Sequence, residues 1–150
     1  EKIKLNIKSI NEIRNKHDNI TTCTNINKKT HSVKIKKDSV FNELRNILPN
    51  TFEWIKTRKR LILETKIQHH CVWSYADKIT NDKCAIYSYV DKDGSKSIDG
   101  IPKRYTIEFG FNKNTCQYYV LQTQGRYDSV NASNMEKYIN EILDTYYNNK

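Results

Sequence analysis

Three runs of alternating apolar and polar residues between Cys84 and Gln124 constrain this chain more than any other feature. A period of two suits a strand with one covered face and does not suit a helix. In the first run Cys84, Ile86, Ser88 and Val90 alternate with Ala85, Tyr87 and Tyr89, and Asp91-Lys92-Asp93-Gly94 then supplies turn chemistry. A loop containing Pro102 follows. In the second run Tyr105, Ile107, Phe109 and Phe111 alternate with Arg104, Thr106 and Glu108. This predicts a strand that buries aromatic side chains on one face and presents Thr106 and Glu108 on the other. Asn112-Lys113-Asn114 reads as a hairpin turn. The third run, Cys116 to Gln124, places Tyr119 and Leu121 on one face and Tyr118, Val120, Gln122 and Gln124 on the other, closing at Gly125. An antiparallel meander is the economical way to connect the three.

Helices are expected on both sides of this meander. Thr65-Lys66-Ile67-Gln68 has the form of a capping box, so the central helix is expected to start at Lys66 and end near Thr80-Asn81-Asp82, with Val72, Tyr75, Ala76 and Ile79 as its apolar face. Ser133-Asn134-Met135-Glu136 is a further capping box. It opens a C-terminal helix whose stripe is Met135, Tyr138, Ile139, Ile142, Leu143 and Tyr146. Upstream, Ile3, Leu5 and Ile7 alternate like an edge strand, Ser9 caps a short helix from Ile10 to about His17, and Val33-Lys34-Ile35 reads as strand. Asp38 or Ser39 can cap a helix bearing Phe41, Leu44, Ile47 and Leu48, stopped by Pro49. Residues 51 to 63 fit strand or helix. The expectation is α+β: a three-stranded antiparallel meander flanked by a central and a C-terminal helix, with a basic N-terminal α/β prefix. At 150 residues the chain suits one domain, with the prefix at 1–63 and the motif-bearing core at 64–150.

The net charge of +9 is unevenly placed. Residues 1–70 carry 16 Lys+Arg against 7 Asp+Glu, whereas residues 71–150 carry 10 of each. A basic half beside a neutral half suggests a face for nucleic acid or for an acidic protein partner. The densest cluster is Lys56, Arg58, Lys59 and Arg60, just downstream of Phe52 and Trp54. Basic side chains can neutralise phosphates while an aromatic stacks on a base. The alternative is a solvated basic face beside two core aromatics. No apolar run approaches the ~20 residues that span a bilayer, so no membrane association is expected. Cys23, Cys71, Cys84 and Cys116 are scattered, without zinc-site spacing. They read as reduced thiols of an intracellular, cytoplasmic protein, and no metal or cofactor is expected.

One short stretch, Glu64-Thr65-Lys66-Ile67-Gln68-His69-His70-Cys71-Val72-Trp73-Ser74-Tyr75, gathers two imidazoles, a thiol and a phenol. At ~100° per helical residue His69, His70 and Cys71 point in three directions and do not form a metal site by themselves. An extended backbone would instead bring His69 and Cys71 to one face.

These residues resemble the PcfJ-like family of conjugative plasmids, phages and related mobile elements. The resemblance rests on Glu64, Gln68-His69-His70-Cys71-Val72 and Tyr75, on a strand with Tyr87, on Thr106-Ile107-Glu108, and on Gln122-Thr123-Gln124-Gly125 before a terminal helix. Ile7-Lys8-Ser9-Ile10 and His17-Asp18 fit its leading segment. Asp128 departs from the Asn of the family pattern, and Thr65 stands where Gly usually follows the Glu. The resemblance implies an association with mobile DNA and no particular reaction.

Two function classes follow. The first is a nucleic-acid-binding or adaptor module, gripping through Lys56, Arg58, Lys59, Arg60 and Arg126. The second is a small hydrolase or nuclease in which His70 and Glu108 act as acid and base on a phosphodiester, with Gln122 and Arg126 holding the phosphate. Cys71 beside an imidazole is a third arrangement, a thiolate nucleophile. The structural alternative is that Cys71 and His69 border the core, His70 bonds a strand end, and Glu108 with Gln122 forms a cross-strand polar pair.

Overall fold

The computed structural model describes residues 32–68, 75–90, 104–125 and 132–150. Their centre is a four-stranded antiparallel sheet: β1 (Phe52–Trp54), β2 (Ala85–Val90), β3 (Arg104–Asn112) and β4 (Gln117–Gly125), in the spatial order β1-β2-β3-β4. The meander expected from alternation is present. The fourth strand is β1, which pairs through Phe52↔Tyr89, Glu53↔Ser88 and Trp54↔Tyr87. It lies in the stretch whose short apolar run fitted either element, so three strands is corrected to four. Three residues are too few for periodicity to register, and partners on β2 fix the strand.

The helices are α1 (Leu44–Ile47), α2 (Arg58–Gln68), α3 (Ala76–Thr80) and α4 (Ala132–Asn148). The central helix expected from Lys66 is also corrected. Thr57, not Thr65, is the cap: its Oγ1 accepts from the Arg60 N–H at 3.2 Å, and its carbonyl accepts the first helical bond, from Leu61 N. Thr65 sits inside α2, where its hydroxyl donates back to the Leu61 carbonyl at 3.1 Å. A Thr-x-x-Gln pattern therefore misled, because the same hydroxyl can bond backward within a helix. The 63/64 boundary drawn between prefix and core falls inside α2. Helix α3 begins after Tyr75.

Other local expectations resolve in the same way. Residues 33–35 form no strand, and the helix expected after Ser39 is a series of turns leading into the four residues of α1. Leu48 is extended at ψ 144°, as the residue before a proline should be. Ser39 still organises this segment: its hydroxyl accepts from Phe41 N, and it donates to Asp82 Oδ1, whose Oδ2 accepts from Val40 N. The strand at Ile3–Ile7 and the helix from Ile10 lie outside the described residues.

The two faces of the sheet differ chemically. On one, Phe52, Trp54, Ala85, Tyr87, Tyr105, Ile107, Phe109 and Tyr118 form a single core with Phe41, Leu44 and Leu48 and with Met135, Ile139 and Leu143 of α4. The expected stripe on α4 is thus centred on Met135, Ile139 and Leu143, while Tyr138 remains 41% exposed. On the other face a smaller cluster joins Ile55, Leu61, Ala76, Ile79, Cys84 and Ile86. The remainder of that second face is polar.

The phase expected for β4 is wrong at one point. The β3–β4 register passes from Glu108↔Gln122 to Phe109↔Val120, leaving Leu121 as an extra residue. Such a bulge reverses the alternation within a strand. Tyr118 and Val120 therefore accompany Phe109 on the α4 side, and Gln122 and Gln124 accompany Glu108 and Thr106 on the polar side. Among the described residues no helix is long and apolar enough to cross a membrane.

Candidate functional site

Helix α2 has two working faces. Its inner face lays Leu61, Glu64, Thr65 and Gln68, all buried, against the polar side of the sheet. Register aligns Glu53, Ser88, Thr106 and Gln124 in one row, and Ile86, Glu108 and Gln122 in the next.

Glu64 is the hub of the first row. With no exposed surface, it accepts from Thr106 Oγ1 at 2.6 Å, Arg60 Nη1 at 2.9 Å and Arg104 Nη2 at 3.4 Å. A buried carboxylate that only accepts must be surrounded by donors. This fixes the direction of the whole chain of bonds: Thr106 spends its one proton on Glu64, so its oxygen accepts from Gln68 Nε2 at 3.1 Å. Gln68 Oε1 is left buried and without a partner among the described residues. Arg60 is also held by Glu53, at 2.6 and 3.3 Å.

The second row is less saturated. Glu108 is 8% exposed, and its Oε2 has no partner among the described residues. Burial raises its pKa, opposed by the Lys78 ammonium and by a hydrogen bond with Cys84. Burial, and then the Glu108 charge, push the Cys84 thiol up to about 12, so it is protonated at neutral pH and is not a thiolate nucleophile. Opposite Glu108, Gln122 Oε1 accepts from the Tyr75 hydroxyl at 2.8 Å. Burial raises the Tyr75 pKa too, with Glu108 the next contributor, which keeps the phenol in its donor form. A cleft is lined by Tyr75, Ile86, Thr106, Glu108, Gln122 and Gln124. Lys78 Nζ stands 5.2 Å from the Tyr75 ring.

The outer face of α2 is basic and partly apolar. Arg58, Lys59, Ile62, Leu63 and Lys66 line one shallow groove, with Leu63 46% exposed. Arg58 and Lys59 open the first turn, where the backbone N–H groups already carry partial positive charge and no acidic residue stands within the turn.

Of the candidate residues named from sequence, Glu108 and Gln122 do meet, as a cross-strand pair. His70, Cys71 and Arg126 lie outside the described residues, so their relation to that pair is not described. Lys56 and Lys59 are exposed and Arg58 is half-buried. Arg60, by contrast, is committed to Glu53 and Glu64. Phe52 and Trp54 belong to the core, so they offer no open stacking surface. Lys56 Nζ lies 5.4 Å from the Trp54 ring. Composition and periodicity missed the roles of Glu64, Gln68, Tyr75 and Lys78. The first three stood in the family-like stretch, whereas Lys78 carried no signal. Among the described residues no group of three His, Cys, Asp or Glu could hold a metal, and Cys84 and Cys116 are free thiols.

A family model described as PcfJ-like protein matches residues 5–143. No curated protein and no solved structure matches the chain.

Proposed function

The chain belongs to the PcfJ-like family, and on that premise we propose that it is a single-domain nucleic-acid-binding module of a mobile genetic element, gripping the phosphate backbone with the outer face of α2. One observation carries this reading: Arg58, Lys59 and Lys66 share a groove with exposed Leu63 that runs along α2 from its positive, N-terminal turn. The excess charge of residues 1–70 adds long-range attraction for a polyanion.

The experiment is a titration of labelled DNA and RNA strands at several salt concentrations. The logarithm of the affinity should fall linearly with the logarithm of salt, because each neutralised phosphate releases counterions. Lys59→Glu with Lys66→Glu should weaken binding about tenfold or more and flatten the slope by about 1.4–1.8, two phosphate contacts' worth. Salt-independent affinity, or an unchanged slope in the double variant, would remove α2 as the contact surface. Binding to an acidic protein with no affinity for either nucleic acid would favour the adaptor role.

A second reading, phosphodiester hydrolysis, is favoured by the buried Glu108 oxygen without a partner beside Gln122. In it, Glu108 exchanges a proton with the leaving or attacking oxygen, and His70 is its proposed acid–base partner. Incubating the labelled strands with and without divalent metal tests this. Cleavage abolished by both Glu108→Gln and His70→Ala is the expected result; strands left intact by the wild-type protein sink the idea.

A further inference from the structure

Phosphate affinity accounts for the cations of the α2 groove and leaves its centre unexplained. The groove has a volume of about 540 Å³, within the ~300–1,000 Å³ range of small-molecule clefts. Its lining residues, Arg58, Lys59, Ile62, Leu63 and Lys66, fall at i, i+1, i+4, i+5 and i+8 of one helix, and so form a single stripe. Lys59 and Lys66 are exposed and stand toward its two ends, about 10 Å apart along the axis. Between them lie Ile62, half-buried, and Leu63, 46% exposed. Ile62 also packs on the cluster around Ile55 and Leu61, which gives it a structural duty. Among the described residues Leu63 belongs to neither core cluster. A lone exposed leucine is ordinary; this one adjoins a second aliphatic side chain and is bracketed by cations.

We infer that the groove takes an unpaired strand, with a base laid on Leu63 and Ile62 and the phosphates on either side held by Lys59 and Lys66. The charges select a polyanion, and the apolar centre selects one whose ring faces are accessible. A duplex stacks its base faces inside the helix and offers only base edges in its grooves. Against aliphatic atoms the donors and acceptors of those edges would lose water and gain no partner. Unpaired bases can be splayed out of the stack, so their faces reach an apolar surface. The inference rests on the phosphate-gripping reading above and adds strand selection to it.

The test measures binding of the full chain, at one salt concentration, to a labelled mixed-sequence DNA strand, to that strand paired with its complement, and to an abasic strand of equal length. A purely electrostatic surface follows charge density and binds the duplex at least as tightly. The single strand should instead bind about tenfold more tightly than either the duplex or the abasic strand, roughly what covering the exposed parts of Leu63 and Ile62 yields. Leu63→Ala should bring both ratios to within about threefold while leaving the duplex affinity and its salt slope unchanged. Alanine preserves the helix, and the abasic comparison in the wild-type protein needs no variant at all. A duplex or an abasic strand bound as tightly as the single strand overturns the inference and leaves the phosphate reading intact. So does a preference that survives Leu63→Ala. Binding to none of the three overturns both.

Discussion

Replacing Glu64 with alanine is expected to destabilise the fold by about 3 kcal/mol or more, the range found when one partner of a buried ion pair is removed. The carboxylate has no exposed surface and accepts from two guanidinium groups and a hydroxyl. Its loss leaves Arg104 without its only acid among the described residues and the buried Thr106 with an unused donor. Arg60 suffers less, since Glu53 still holds it at 2.6 Å. The two Arg side chains keep 17% and 22% of their surface, so residual hydration offsets part of the loss. Glu64→Gln should cost about half as much, because its carbonyl can still accept from Thr106. Urea unfolding of the three proteins measures the difference. A change below about 1 kcal/mol for the alanine variant would mean that the network is held together from elsewhere. The effect should also reach the site: without Glu64 the Thr106 proton is released, and nothing sets which end of the Gln68 amide faces the sheet.

The dependence of Gln68 on Glu64 shows what the sequence made legible and what it did not. Alternation identified Tyr105, Ile107 and Phe109 as core and Thr106 and Glu108 as the opposite face, and the sheet is built that way. Strand periodicity is a local property, so a single chain suffices to read it. The resemblance also singled out Glu64, Gln68, Tyr75, Thr106, Glu108 and Gln122, all of which gather on one side of the sheet. Their partnerships were not legible, because a pair such as Glu64 and Thr106 is 42 residues apart and only the fold decides who meets whom. The bulge at Leu121 had no local signature either. Without it Gln122 would share a face with Tyr118, under α4, and could not stand beside Glu108. Likewise the basic cluster read as one patch, yet helical phase divides it: Arg60 turns inward to Glu53 and Glu64 while Lys59 faces out.

Phe109 stands at the step where the bulge shifts the β3–β4 register, and Phe109→Ala is expected to cost about 3–5 kcal/mol, as for other aromatic truncations in a packed core. The ring is fully buried and meets Tyr87 edge-on, at 5.5 Å between centroids and 84° between planes. Deleting it removes that contact together with the burial of a large apolar surface. The neighbours cannot collapse into the space, because Ala85 and Val120, the residues that face it on β2 and β4, are short and fixed to the ladder backbone. Phe109→Leu should cost less, about 1–2 kcal/mol, since it keeps most of the volume. In denaturant melts the alanine variant should show a lower midpoint with an unchanged slope if the fold persists. A loss under about 1.5 kcal/mol would indicate that the core between the sheet and α4 is looser than its burial implies. Because Phe109 immediately follows Glu108 at the step where β4 gains its extra residue, the core on one face and the Glu108–Gln122 pair on the other share a single backbone constraint.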